Sequence, residues 1–376
     1  MNFEKYPFEK LAILLEDVTA NKDFEESVLT IGEPKFETPD FIQNALKNSS
    51  SLLKKYPASA GIPELKDAMI NFVNTRFDVK LDVNQIIPTF GTREALFNFP
   101  QFALFDIKDP VIAYTNPFYQ IYEGAAIASR AEVIHINLTK ENDFKAHLSD
   151  EELQRCDLVI LNFPNNPTAG SMSKEELSVW VEKALKFDFI LINDECYSEI
   201  YFNKEDKPAS LLEASILVGN TDFKNVLVMN SISKRSSAPG LRSGFVAGDA
   251  KILKEYLQYR TYVGCASPVP LQQAAVVAWN DQEHVDYFRS VYKQNFILAE
   301  EILGTKIPQA TFYIWLEVQD ELEFTRNLYK EKNIKVVPGS FLGREEQGKN
   351  YVRIALVENE EKTKEVLLRL KDFING

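Results

Sequence analysis

The stretch Ser231–Gly244, SISKRSSAPGLRSG, gathers hydroxyls, a lysine and an arginine in a chain with an excess of acid. Ser231 and Ser233 offer hydroxyl donors and Arg242 a fork-shaped cation, a set suited to a phosphate monoester dianion. Lys234 among them adds a different chemistry. A lysine at a sheet end beside a phosphate can form an imine with a carbonyl, provided burial and nearby positive charge make its neutral form accessible. On its own, a lysine in a polar loop is most often a solvated charge.

Other polar clusters recur along the chain. GTREAL is a strand-to-helix turn whose free N–H groups and helix dipole suit a phosphate, which brings in Gly91, Thr92 and Arg93. Tyr119 stands in NPFYQIY, Asn166 in PNNPT, Asp194 and Tyr197 in NDECY, and Arg353 in NYVRIAL. Taken singly, these read as half-buried packing, a turn, a cap and a surface arginine.

The elements around them give the clusters a common place. From about residue 85, short apolar runs (QIIPTF, PVIAYT, EVIHINL, DLVILNF, FILIND, VLVMNS) alternate with amphipathic helical stretches. Strands separated by helices imply crossovers, and crossovers imply a mostly parallel sheet covered on both faces. LVILNF and FILIND are continuously apolar, as strands buried on both sides should be. Ligands of open α/β sheets bind at the carboxyl ends of the strands, and five of the polar clusters follow strands. After SGFVAGDA the pattern changes to long helices, roughly Ala250–Tyr262 and Pro268–Leu303, followed by a smaller α+β unit. No stretch has the composition of a free linker, so the two units are expected to share a helix.

Composition excludes several function classes. Lys and Arg number 42 against 55 Asp and Glu, a formal charge of −13, which gives no footprint for nucleic acid and no polybasic membrane anchor. Cys156, Cys196 and Cys265 are odd in number and far apart, which points to a reducing compartment without disulfides. His135, His147 and His284 lack metal-ligand spacing, so no metal is expected. The opening MNFEKYPFEK lacks the apolar core of a secretory signal, and no apolar run reaches membrane-helix length; a cytoplasmic protein without membrane or nucleic-acid partners is expected. No G-x-G-x-x-G occurs, which disfavours a nicotinamide enzyme.

Ser-x-Ser-Lys followed by Gly-x-Arg-x-Gly, with the arginine eight residues after the lysine, resembles the pyridoxal-phosphate signature of class I/II aminotransferases, the fold-type I enzymes. The other clusters match that family in the same order over nearly the whole chain. The resemblance implies an α/β fold: a large domain at 36–265 with a mostly parallel seven-stranded sheet covered by helices, and a small α+β domain from 1–35 and 266–376. It implies pyridoxal 5′-phosphate held as an imine by Lys234, with its phosphate on Ser231, Ser233, Arg242, Gly91, Thr92 and Arg93. Tyr119 would stack on the ring, Asn166 and Tyr197 would bond the phenolic oxygen, and Asp194 would keep the ring nitrogen protonated. Arg353 would grip the substrate α-carboxylate, with Gly32 of LTIGEPKFETP bringing backbone close to it. Tyr56 of KKYPASAG would reach the phosphate of a neighbouring subunit, implying a homodimer with shared sites.

Two departures from the family pattern stand out: Ala169 intervenes before Gly170, and Ala310 replaces a common glycine, which is expected to modify the substrate pocket. The implied reaction is ping-pong transfer of an amino group between an amino acid and a 2-oxo acid. RTYVGCASPVPLQ, ATFYIWLEV and VVPGSFLG look like the members that act on N-succinyl-LL-2,6-diaminopimelate with 2-oxoglutarate or glutamate. Such substrates carry extra carboxylates and call for a further cation, for which Arg93 and Arg260 are the candidates. Aspartate or aromatic aminotransferases and C–S β-lyases would use nearly the same cofactor residues. A ligand sensor of this fold would need a DNA-binding extension.

Overall fold

Strands apolar on both faces need helices on both, and the computed structural model, which describes residues 3–376, provides them. The chain enters through α1 (Pro7–Leu15), the short β1 (Ser27–Val28), α2 (Asp40–Ser49) and α3 (Pro63–Phe77). One sheet follows, built from β2 (Ile86–Thr89), β3 (Val111–Asn116), β4 (Glu132–Asn137), β5 (Leu158–Leu161), β6 (Ile190–Asp194), β7 (Val226–Ser231) and β8 (Gly244–Gly248). Its seven strands lie in the order β2-β8-β7-β6-β5-β3-β4. Neighbours run parallel except at β8, which is antiparallel to both β2 and β7.

Continuous apolar runs feed two cores by turns, because successive side chains of a strand point to opposite faces. Val159 and Leu161 of β5, with Val226 and Val228 of β7, pack on one face against Leu177, Val181 and Trp279. Leu158, Ile160, Leu227 and Met229 pack on the other against Leu96, Phe99 and Tyr256. Each such buried aliphatic contributes about 1.5–3 kcal/mol relative to exposure. The crossovers are α4 (Thr92–Ala103), α5 (Ile121–Ser129), α6 (Asp150–Arg155), α7 (Lys174–Phe187) and α8 (Leu211–Leu217), while the single turn α9 (Ile232–Arg235) lies between the antiparallel β7 and β8. Ser149, Ser173 and Ser210 start α6, α7 and α8 through reciprocal bonds with Glu152, Glu176 and Glu213.

Beyond the sheet come α10 (Ala250–Val263), α11 (Val269–Asn280), α12 (Glu283–Leu303), β9 (Tyr313–Glu317), α13 (Glu321–Lys332), β10 (Ile334–Lys335), β11 (Val337–Pro338), β12 (Tyr351–Ala355) and α14 (Glu360–Asn375). β11, β12 and β9 form a three-stranded antiparallel sheet, and β1 pairs in parallel with β10. Leu29, Phe296, Leu328, Ile354 and Leu367 share the core of this part. The single helix expected over Pro268–Leu303 is two helices. Asp281 adopts extended backbone at the break, and its carboxylate accepts the N–H of His284 at 3.1 Å, restarting the helix as α12. The expected boundary at 265/266 precedes α11, whose Ala274, Ala275, Ala278 and Trp279 lie in the core of the seven-stranded sheet. Among the described residues no helix is long and apolar enough to cross a membrane, and no group of three or more His, Cys, Asp or Glu could hold a metal.

Candidate active site

Parallel strands deliver their following loops to one rim, and there a cavity of about 760 Å³ opens. Thr92, Arg93, Tyr119, Asn166, Asp194, Tyr197, Ser231, Ser233, Lys234 and Arg242 all line it, joined by Gly32 from the N-terminal segment and Arg353 from β12. The sequence-selected residues thus come together, with Tyr56 and Arg260 as the exceptions. Gly91 lies between the lining residues Phe90 and Thr92.

At one group of donors, Ser231 Oγ accepts the Ser233 N–H at 3.1 Å and stands 2.8 Å from Ser233 Oγ. Arg242 donates from Nη1 to the Pro239 carbonyl at 2.9 Å and from Nη2 to the Phe90 carbonyl at 3.3 Å. Gly91 makes room for that guanidinium: it caps α4 at φ +74°, and a Cβ there would stand 2.1 Å from Arg242 Nη2. Only glycine satisfies both the backbone and the space. Arg93 donates from Nε to Tyr119 Oη at 2.5 Å, so the expected ring-stacking tyrosine is held by the expected phosphate arginine.

Asp194 ends β6 with its carboxylate buried. Tyr122 Oη donates to its Oδ2 at 2.8 Å and the Cys196 N–H to its Oδ1 at 3.3 Å, while Asn162 Nδ2 holds its backbone carbonyl at 2.9 Å. Burial raises the acid above its ordinary range, opposed by the bonds from Cys196 and Tyr122 and by the charge of Lys234. A protonated ring nitrogen would supply the positive charge that this carboxylate calls for.

Arg353 is buried and oriented from two sides: Nη1 donates to Asn166 Oδ1 at 2.7 Å and Nη2 to the Thr30 carbonyl at 2.6 Å, with the guanidinium carbon 4.5 Å from the Tyr313 ring centre. Its Nε has no hydrogen-bond partner. A donor left over at a cavity wall suits an incoming carboxylate. Tyr197 Oη lies 3.0 Å from Tyr313 Oη, and burial pushes its phenol well up. Gly32 packs so closely on Tyr313 that a Cβ would fall 1.8 Å from that hydroxyl. Its carbonyl accepts a hydrogen bond from Lys234 Nζ.

Burial lowers Lys234 to about 8, and the positive charges of Arg353 and Arg242 push the same way. The neutral amine is the reacting form. In cofactor-free protein, arylation of Lys234 by trinitrobenzenesulfonate, followed by peptide mass spectrometry, should therefore accelerate up to about pH 8 and then level off. A rate still climbing towards pH 10, as for an ordinary lysine, would contradict the assignment.

Two expectations fall differently. Arg260 does not reach the cavity: its fully buried guanidinium donates to both oxygens of Glu94 at 3.1 and 2.9 Å and to the Pro88 and Cys265 carbonyls at 2.9 and 3.0 Å. It is a fixed element between α10 and α4, because each of those bonds would be lost by swinging outward. Ala310 is buried against Tyr201 in an isolated bridge and does not line the substrate space. Tyr56 is fully exposed in this chain and touches none of its own cavity. The Ala169 departure is absorbed locally: Ala169 takes φ +59°, and the loop closes through Asn165 N–H to the Gly170 carbonyl at 2.8 Å. Asn166 keeps its seat, its N–H bonded to Asn162 Oδ1 at 3.0 Å.

Functional residues absent from the sequence reading are Tyr122, Tyr313, Asn162 and the apolar group Tyr6, Phe8, Ile31 and Leu342, which also lines the cavity. Tyr122 lies in the first turn of α5, three residues after Tyr119, and the two ring centres lie 5.9 Å apart; that short spacing could have been noticed. The others depend on contacts between distant segments.

One cavity gathers Arg353, the buried Lys234 and Asp194, and comparison with known proteins gives the chain a family. Residues 26–370 match the family described as Aminotransferase class I and II. The chain is similar to LL-diaminopimelate aminotransferase of Maridesulfovibrio salexigens, 31% identical over 91% of this chain and 90% of that one. Its fold superposes on aminotransferase AspB of Helicobacter pylori with TM-score 0.97, 50% identity and full coverage of both chains. An aminotransferase from Neisseria meningitidis gives TM-score 0.94 and 40% identity, covering 99% of this chain and 98% of that one. The chain belongs to the class I and II aminotransferases, enzymes that use pyridoxal 5′-phosphate.

Proposed function

We propose that this enzyme exchanges an amino group between glutamate and a long, N-acylated diamino acid of the diaminopimelate type, with N-succinyl-LL-2,6-diaminopimelate as the preferred partner. The observation that carries the substrate reading is the charge inventory of the cavity. Its lining acids are Asp194 and Glu94. Asp194 serves the ring nitrogen, and Glu94 is saturated by Arg260, Asn98 and the Phe90 N–H. Among the described lining residues no carboxylate is left for the distal ammonium of free LL-diaminopimelate, and the neighbouring Glu33, whose charge reaches Lys234, is exposed to solvent, whereas acylation removes that ammonium charge. Arg93 is then the cation for a distal carboxylate, and Phe8, Ile31, Phe97 and Leu342 suit the methylene chain.

The residue roles follow from position. Ser231, Ser233, Thr92 and Arg242 would hold the phosphate, Tyr119 the ring face, Asn166 and Tyr197 the phenolic oxygen, and Asp194 the ring nitrogen. When bound, the cofactor supplies the electron sink for the pair left as the substrate Cα–H bond breaks. Arg353 orients the α-carboxylate so that this bond faces Lys234. Lys234 Nζ would take the proton from the substrate Cα, the Gly32 carbonyl holding the resulting ammonium, and in the reverse half-reaction would return a proton to Cα of the 2-oxo acid partner.

A half-reaction panel tests the substrate. Cofactor-loaded enzyme is mixed with each amino donor, and the colour change of the bound vitamin is followed. kcat/KM for the succinylated donor should exceed that for LL-diaminopimelate by about tenfold or more, the cost of burying an unpaired charge. Preference for LL-diaminopimelate, aspartate or an aromatic amino acid would overturn the substrate reading. Release of pyruvate and ammonia from cystathionine would favour a lyase. The exposed Tyr56 ring further supports a homodimer in which it enters the partner's phosphate site. Sedimentation of the loaded enzyme as a monomer would end that part.

A further inference from the structure

A second cavity, of about 260 Å³, lies where α3, the segment after β6 and the α11–α12 junction meet. It shares no lining residue with the catalytic cavity. Its wall carries the cations Arg76, Lys204, Lys207 and Arg289 against one acid, Asp286, in a chain of net charge −13. Rings of Phe72, Tyr201 and Trp279 complete it.

Arg76 is spoken for: Nε pairs with buried Glu199 at 2.6 Å, and Nη2 donates to the Ser198 and Pro208 carbonyls at 3.2 and 3.0 Å. Arg289 is not. Its side chain is 8% exposed and lies 4.0 Å from the Tyr201 ring centre, and Nη2 meets Asp286, but Nη1 is buried with no hydrogen-bond partner. Behind it, Arg235 is 1% exposed and stacks on Phe72 and Trp279 at 4.8 and 5.1 Å. Only Arg235 Nη2 is bonded, to the Asp281 carbonyl at 3.1 Å and Gln282 Oε1 at 3.4 Å; its Nε and Nη1 have no partner. Burial, with Arg289 as a like-charged neighbour, pushes Arg235 down to about 10. Three guanidiniums and two lysines thus meet Glu199, Asp286 and Asp281, and buried guanidinium nitrogens without acceptors are costly.

We propose that this cavity is a second ligand site, which takes a small anion by its oxyanion head, phosphate or carboxylate, on Arg289 and the two lysines. The anion brings acceptors to a cationic wall, and the rings beneath accommodate a flat or apolar body. One loop joins this site to the catalytic one: Asp194 and Tyr197 face the catalytic cavity, while Tyr201 faces the second.

Calorimetric titration of the cofactor-loaded enzyme with inorganic phosphate and, separately, acetate tests the site, since the cofactor then fills the catalytic phosphate cup. Saturable binding of at least one probe is expected, the tighter probe naming the head group. Arg289→Gln should weaken it about tenfold or more, the loss of one charge-assisted bond. The exposed pair Lys204→Ala and Lys207→Ala, which cannot disturb the core, should weaken it about threefold. The titrations are repeated in Arg353→Gln, which removes the catalytic cavity's own grip on acetate; the phosphate isotherm should be unchanged there, and acetate binding should persist. No saturable binding, affinities unaltered by the Arg289 and lysine changes, or loss of binding with Arg353→Gln would each overturn the proposal.

Discussion

Lys234→Ala is expected to lower kcat by about a thousandfold or more, because one side chain serves both as the covalent anchor and as the base at Cα. Among the described residues lining the cavity there is no second amine to replace it: the other cations are arginines, whose guanidiniums stay protonated. Lys234 titrates at about 8, so a substantial neutral fraction exists at neutral to mildly alkaline pH. The measurement is single-turnover conversion of loaded enzyme with glutamate, with and without added ethylamine. An external amine should restore part of the rate in Lys234→Ala and none in Lys234→Arg, where the cation still fills the space. Borohydride followed by peptide mapping should fix the cofactor at residue 234 in the wild type and nowhere in the variant. A variant within tenfold of wild type, or one still fixing the vitamin, would remove Lys234 from its role.

Much of this site was legible because the fold places strand-following loops on one rim. Continuous apolar runs such as LVILNF mark strands covered on both sides, and the polar residue after each is there for a reason other than burial. Gly91, Asn166, Asp194 and Lys234 stand at or just past the ends of strands, and Arg242 is tied to Lys234 by the spacing of the motif they share. What the sequence hides is the partner supplied from far away. Arg260 was offered as a substrate cation because an arginine on an amphipathic helix shows nothing of a carboxylate 166 residues earlier that neutralises it. Tyr313 meets Tyr197 across 116 residues, with no local signal at either end. The helix break at Asp281 was locally readable, since an aspartate followed three residues later by the N–H it caps is an ordinary restart signal. The amphipathic pattern that continues on both sides conceals it.

Asp194→Asn is expected to lower kcat by about a hundred- to a thousandfold, the scale for removing a preorganised charge from a buried site. The geometry says why an isosteric amide is not enough. Tyr122 Oη and the Cys196 N–H already donate to the two oxygens, so the amide nitrogen would face a donor, and the fixed negative charge would be gone. The charge itself is held against burial. Asp194 is raised above its usual range in the fold, so its ionised form is disfavoured there, and stability is lost as pH rises from its unfolded value through the raised one. A cation placed beside it reverses that effect. Binding the cofactor, with its ring nitrogen protonated, should therefore raise the melting temperature at neutral pH more in the wild type than in Asp194→Asn. Pyridoxal phosphate without its ring nitrogen, the deaza analogue, should erase that difference while still occupying Ser231, Ser233 and Arg242. Tyr122→Phe separates charge from position: the carboxylate remains but loses one of the bonds that favour its ionised form, so the acid limb of kcat should move to higher pH while the plateau falls less than in Asp194→Asn. Equal thermal gains in wild type and Asp194→Asn, with kcat within tenfold, would mean that the buried carboxylate is a structural group and the electron sink is controlled elsewhere.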